Sequence, residues 1–259
     1  MPAITPPQTK TPGTATGSGL GAKSALIVGM GGLGCPAATI LAQAGVGRLY
    51  LVDDDVVEQS NLHRQTLFCD TDVGRDKLDA ARDALIHGGA PPESIELIRT
   101  RLVPSNARKL ASQVDVVLEG ADNFATKFLC ADACFLETTP VVHAAAIRCT
   151  ATVLPVSGSG APCYRCLFED VPDGEAQPNC NSAGVLGPVV GLAGALLADH
   201  ALRILTEAPS YGFITTYDGN RDRLRPVAVN PRVSCPLCGD SRQIKKITET
   251  RYTQAVCAA

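Results

Sequence analysis

A chain of 259 residues, with 23 basic and 26 acidic side chains and a net charge of −3, has room for one large α/β unit with embellishments. With no basic block, it carries no electrostatic footprint for nucleic acid or an anionic membrane, so neither is an expected partner. Eleven cysteines, an odd number that includes two C-x-x-C pairs, favour metal and thiol chemistry over a disulfide framework.

Residues 1–22 are rich in Pro, Thr and Gly and read as a flexible arm that cannot bury enough apolar surface to order itself. They lack the basic and apolar regions of a secretory signal, and a reducing cytoplasm is the expected location. From residue 23 the pattern alternates. Apolar runs at 25–28, 49–52, 95–99, 114–119 and 141–144 predict strands, and helical patterns fall between them at 36–44, 77–85, 105–113 and 126–136. That alternation is the signature of a Rossmann-like, doubly wound, mostly parallel sheet. After residue 150 the pattern changes to a strand at 151–156, a Pro/Gly/Cys-rich stretch over 157–182, a long helix ending near 205, and strands at 213–217 and 224–229. These late strands are expected to run partly antiparallel. The uncharged stretch 183–198 is interrupted by glycines and too short to span a bilayer comfortably, which predicts a buried helix preceded by a loop.

The first strand runs directly into Gly29-Met30-Gly31-Gly32-Leu33-Gly34 and then a helix opening at Cys35-Pro36, so G-x-G-x-x-G stands in strand-turn-helix context. The glycines serve a tight turn, close backbone approach to phosphate and close helix-to-strand packing. Pro36 suits a first helical turn, and the helix N-terminus offers N–H groups to an anion. The second strand ends in Asp53, placed to accept hydrogen bonds from a ribose. Gly29, Gly31, Gly32, Gly34 and Asp53 therefore indicate a nucleotide without choosing between ATP and NAD; an ordinary glycine turn is the plain alternative. Asp54 and Asp55 read as solvated or capping residues.

The choice comes from the next segment, Asn61-Leu62-His63-Arg64-Gln65, and from Lys77. These groups can satisfy and neutralise a triphosphate, which a dehydrogenase does not require. The stretch 29–68, with its N-L-x-R-Q string, resembles the nucleotide site of the ThiF/MoeB/HesA family of bacterial ubiquitin-activating-like adenylyltransferases, and is nearest to the ThiF pattern. The resemblance covers about 22–240. It implies that Gly32, Asp53, Asn61, Arg64, Gln65 and Lys77 contact ATP, and that ATP adenylates the C-terminal glycine of a ubiquitin-like sulfur carrier ending in Gly-Gly. After the strand at 114–119 comes Gly120-Ala121-Asp122-Asn123. Read alone, Asp-Asn after a strand is a helix cap more often than a ligand pair. The resemblance implies that Asp122, beside Asn123, holds Mg2+ on the phosphates.

Cys163-Tyr164-Arg165-Cys166 and Cys235-Pro236-Leu237-Cys238 form two knuckles whose four thiolates are the usual ligands of a tetrahedral structural zinc. A redox dithiol at one knuckle, or unrelated buried thiols, are the alternatives; the resemblance favours Zn2+. Cys180 precedes the long helix, where a thiolate is stabilised. A lone loop cysteine is usually inert, but the resemblance implies a covalent or sulfur-accepting role. Cys35, Cys69, Cys130, Cys134, Cys149 and Cys257 read as core or incidental thiols.

One departure from the family concerns an N-terminal arginine, which in family members reaches the partner subunit's triphosphate in a dimer; this chain has no arginine before Arg48. The organisation expected is an arm over 1–22, one nucleotide-binding and carrier-activating domain over 23–240, and a tail over 241–259. The expected function is Mg-ATP-dependent carrier adenylation, with Asp122, Arg64, Lys77 and Cys180 as catalytic residues. The expected assembly is a homodimer served by a separate sulfur donor. A non-catalytic ATP-binding partner is the alternative, and an NAD-dependent oxidoreductase the more remote one.

Overall fold

The computed structural model describes residues 19–170 and 184–252. Eight strands make one sheet in the order β3-β2-β1-β4-β5-β6-β7-β8. The first five, β1 (Ser24–Val28), β2 (Arg48–Asp53), β3 (Ile95–Arg99), β4 (Val116–Glu119) and β5 (Val141–Ile147), are parallel. The last three, β6 (Thr150–Val156), β7 (Phe213–Asp218) and β8 (Arg223–Ala228), continue the sheet antiparallel, as their position after the helical alternation suggested. Chain order reverses at β1, where β2 lies on one side and β4 on the other, and ligands of open α/β sheets bind at such a switch point.

Both faces of the parallel region are covered, so its strands are apolar without interruption rather than alternating. Ala25 and Ile27 point into one cluster with Cys35, Ala38 and Leu41 of α1 (Gly34–Gln43), Leu78 and Leu85 of α2 (Lys77–His87) and Val189, Ala193 and Leu197 of α6 (Gly187–Leu205). Leu26 and Val28 point the opposite way, onto Leu110 of α3 (Ala107–Ala111), Phe128 and Cys134 of α4 (Phe124–Leu136) and Tyr164 of the short α5 (Tyr164–Leu167). The α6 helix is apolar and long enough by composition to cross a membrane, yet half of that window is buried here, against α1 and strands β4 to β6.

Three local departures from expectation have physical causes. The α3 helix is shorter than 105–113 because Asn106 turns its side chain onto the backbone, accepting from Val103 N–H at 2.9 Å and donating to Arg101 O at 2.9 Å. Leu20, placed within the arm, lies in a 3-10 turn at Leu20–Ala22 and is buried against the core. Beyond residue 240, Ile244 and Tyr252 pack into the α4 side of the core, and Tyr252 donates its hydroxyl to buried Asp132 at 2.7 Å.

Candidate functional site

The glycine loop lies at the switch point. Gly29 takes a φ of 90° to turn the chain out of β1. A Cβ on Gly34 would sit 2.0 Å from Gly29 O, so only glycine lets α1 start this close to the strand. Gly32 is hemmed in by Val190 of α6 and Arg64 O, whereas the nearest atom to a Cβ on Gly31 is Gln65 Nε2 at 3.9 Å. Leu33 gives α1 no side-chain cap; Cys35 N–H donates to Gly31 O at 3.0 Å and Pro36 carries no N–H, which leaves Gly34 N–H in the first turn for an incoming acceptor. Cys35, within that turn, is fully buried and its thiol is pushed up to about 12 by burial, so it stays a neutral packing group.

The remaining groups gather on this loop. Asp53 ends β2 with Oδ2 accepting Met30 N–H at 2.6 Å and Oδ1 accepting Asp55 N–H at 2.9 Å; the same carboxylate that faces the loop also braces it. Arg64 donates to Asn61 Oδ1 and, at 3.3 Å, to Ser60 O, while Asn61 Nδ2 donates to Glu58 at 3.0 Å. Gln65 is buried, and its Oε1 has no partner among the described residues. Lys77 opens α2, buried to the tip, with Nζ 3.0 Å from Asp55. Asp54 pairs instead with Arg101.

The 120–123 turn abuts the same loop, since a Cβ on Gly120 would lie 3.1 Å from Leu33 Cβ and 3.6 Å from Gly34 N. Asp122 is exposed on this turn, and no hydrogen bond or ion pair joins it to another described residue. Asn123 caps α4, its side chain accepting Thr126 N–H at 2.8 Å, so the capping role weighed from sequence is the one its oxygen performs. Cys180 lies outside the described residues.

Behind the turn is a cluster that the sequence did not reveal. Glu119, wholly buried at the end of β4, meets Lys127 of α4 and His143 of β5. Burial pushes the Glu119 carboxyl up, but Lys127 and His143 outweigh it and hold it below its ordinary value. Burial holds His143 below its ordinary value against the pull of Glu119, so the imidazole is neutral. The available signal was an ionisable residue inside each of three largely apolar segments: such residues are tolerated in a core only when paired.

The four knuckle cysteines converge although the facing members are 72 residues apart, with Sγ–Sγ distances of 3.5 Å for Cys163–Cys235 and 3.4 Å for Cys166–Cys238. All four sulfurs lie within 4.8 Å of one another and can hold a metal ion. Thiolates bound tetrahedrally to zinc at about 2.3 Å lie about 3.8 Å apart, so the donor set fits. The neighbouring thiols, Cys163 first, pull Cys238 below its ordinary value, which favours a thiolate in the cluster. Arg232 N–H donates to Cys166 Sγ at 3.4 Å from outside the cluster.

The family model described as the ThiF family matches residues 10–237. The SAMP-activating enzyme E1 of Haloferax volcanii is 37% identical over 235 residues, covering 90% of this chain and 86% of that protein. The adenylyltransferase and sulfurtransferase MOCS3 of Sus scrofa is 40% identical over 243 residues, covering 93% of this chain and 52% of that protein, so the chain spans about half the length of this relative. Among solved structures, E. coli MccB with MccA-N7isoASN superposes with a TM-score of 0.75 at 22% identity, over 85% of this chain and 68% of that one. E. coli MccB with ATP gives 0.70 at 21% identity, over 85% and 68%. At those identities the likeness is one of fold.

Proposed function

The chain belongs to the ThiF family, and we propose that it is a Mg2+- and ATP-dependent adenylyltransferase activating the C-terminal glycine carboxylate of a ubiquitin-like sulfur carrier that ends in Gly-Gly. One observation carries this reading: Asn61, Arg64 and Gln65, from one loop, and Lys77, from the start of α2, are gathered around one glycine loop braced by Asp53. That is more cationic and donor capacity than a dinucleotide's pyrophosphate requires. Among the relatives, one is named an adenylyltransferase and sulfurtransferase and another a SAMP-activating enzyme, which supports the same chemistry.

In this reading the backbone of the glycine loop and the first turn of α1 receive phosphate oxygens, Asp53 accepts from the ribose, and Arg64 and Lys77 offset the triphosphate's charge. The attacking glycine carboxylate is already ionised, so the chain needs no general base and contributes positioning and charge neutralisation. Asp122, an exposed carboxylate beside the loop, would hold Mg2+, which when bound offsets charge on the phosphate oxygens. The four knuckle thiolates would hold zinc in a closed, structural set that leaves no open coordination position. Cys180 is the proposed acceptor of the activated carrier or of sulfur, which a separate donor would supply. A homodimer in the cytoplasm completes the proposal.

ATP–pyrophosphate exchange with candidate Gly-Gly carriers tests it: exchange is expected with one of them, and none with any carrier sinks the reading. The lack of an arginine before Arg48 favours a second reading, a partner subunit that binds ATP without reacting it. That alternative predicts tight ATP binding with no AMP formed on addition of the carrier.

A further inference from the structure

The buried cluster of Glu119, Lys127 and His143 lies directly behind Asp122, yet its lysine is placed differently from the one at the nucleotide loop. Lys77 has one described partner, Asp55, and so has donors left for a ligand. Lys127 has none to spare. Its ammonium donates to Glu119 Oε1 at 3.2 Å, Glu119 Oε2 at 2.9 Å and Ala144 O at 2.6 Å, which uses all three of its protons. With His143 neutral, the lysine and glutamate charges cancel, and the cluster presents no net charge to a phosphate.

Its hydrogen bonds lead to the turn. Glu119 Oε1 also accepts Ala121 N–H at 2.7 Å, and Oε2 accepts His143 Nδ1–H at 3.0 Å, so the carboxylate is held on three sides while it clamps the residue before Asp122. Lys127 stands one turn into α4 and ties that helix start to β4 and β5, while Asn123 caps the same turn from the other end. The turn in turn packs on Leu33 and Gly34 of the glycine loop. The Tyr164 ring lies 4.5 Å from the His143 ring and closes the cluster from solvent.

We infer that Glu119 and Lys127 are positioning residues: a buried pair that contacts no ligand and sets where Asp122 stands relative to the nucleotide loop. The inference rests on the proposed role of Asp122 as the Mg2+ ligand. Outer partners that orient a metal ligand typically cost about 10- to 100-fold in metal affinity when removed.

The experiment titrates the intact protein with a non-hydrolysable ATP analogue, with and without Mg2+, at a temperature below the melting point of each variant. Asp122→Asn should lose the gain in affinity that Mg2+ brings. Lys127→Met should lower that gain about 10-fold or more and leave metal-free affinity as in the unmodified protein. Lys127→Arg, which keeps a cation with donors, should restore most of it. Glu119→Asp keeps the charge pair but withdraws the acceptor from Ala121 N–H, and it carries the test if Lys127→Met does not fold; the same selective loss is expected. Unaltered Mg2+ dependence in Lys127→Met or Glu119→Asp, alongside loss in Asp122→Asn, overturns the inference alone. Equal loss with and without Mg2+ also overturns it, because Lys127 would then be touching the phosphates. If the unmodified protein binds the analogue with no Mg2+ dependence, the assignment of Asp122 fails and this inference fails with it.

Discussion

The two halves of the sheet are held together by different means. In the parallel half, β1 and β4 are buried on both faces, and the glycine loop locks onto α1 through contacts that no Cβ would permit. In the antiparallel half, every residue of β8 is exposed, and the chain beyond it is tied back by side chains: the four-thiol cluster and the buried Asp132–Arg165–Tyr252 group. Close backbone packing tolerates little adjustment and suits a nucleotide site. Cross-links between distant segments make the second half's order conditional on groups that can be removed one at a time.

The strongest way to break this contrast is to strip the metal proposed for the thiol cluster. A link closing 72 residues contributes about 4 kcal/mol by loop-closure arguments. A strong chelator is therefore expected to lower the melting temperature and speed hydrogen exchange in β7, β8 and 235–252, with β1 and β4 remaining protected. Equal loss of protection in both halves would deny the distinction. The converse experiment is Gly34→Ala, which forces a Cβ against Gly29 O and should cost about 3 kcal/mol in urea unfolding together with ATP binding, the thiol cluster still taking up metal.

Tyr252→Phe removes one hydrogen bond to a buried carboxylate, a loss of about 2 kcal/mol on the scale for charged acceptors. Denaturant midpoints check it, with the slope unchanged. A pH effect of smaller size belongs to His143. Its folded value is depressed below 6.5, so on acidification through 6.5 the unfolded chain takes up a proton before the native one does. Stability present above 6.5 is thus lost as pH falls towards the folded value, and His143→Gln should flatten that part of the stability profile. Glu119 adds a second loss below 4.5, since its folded value is also lowered. The smallest effect is expected at the open edge, where Leu224→Ser on exposed β8 should shift stability by less than about 0.5 kcal/mol.

Much of the site could be read before any coordinates. The glycine spacing, Asp53 at a strand end, the N-L-x-R-Q string and the paired C-x-x-C knuckles are local patterns, and local geometry makes each spacing meaningful. The strand-helix alternation likewise implied a parallel sheet, and its loss after residue 150 implied the antiparallel extension. Asp122 and Asn123 were legible as a pair, but their division of labour was not: Asn123 caps α4 and Asp122 stays exposed.

What only the tertiary structure decided is who partners the buried charges. Glu119, Lys127 and His143 come from a strand, a helix and the next strand, as Asp132, Arg165 and Tyr252 come from three separate segments. No periodicity links such positions, because a buried ion is stabilised by whichever opposite group the fold brings within hydrogen-bond reach. Hydrophobic pattern and glycine spacing act over a few residues and so determine elements and loops from sequence alone; charge pairing in the core acts across the sheet and exists only once the chain has closed on itself.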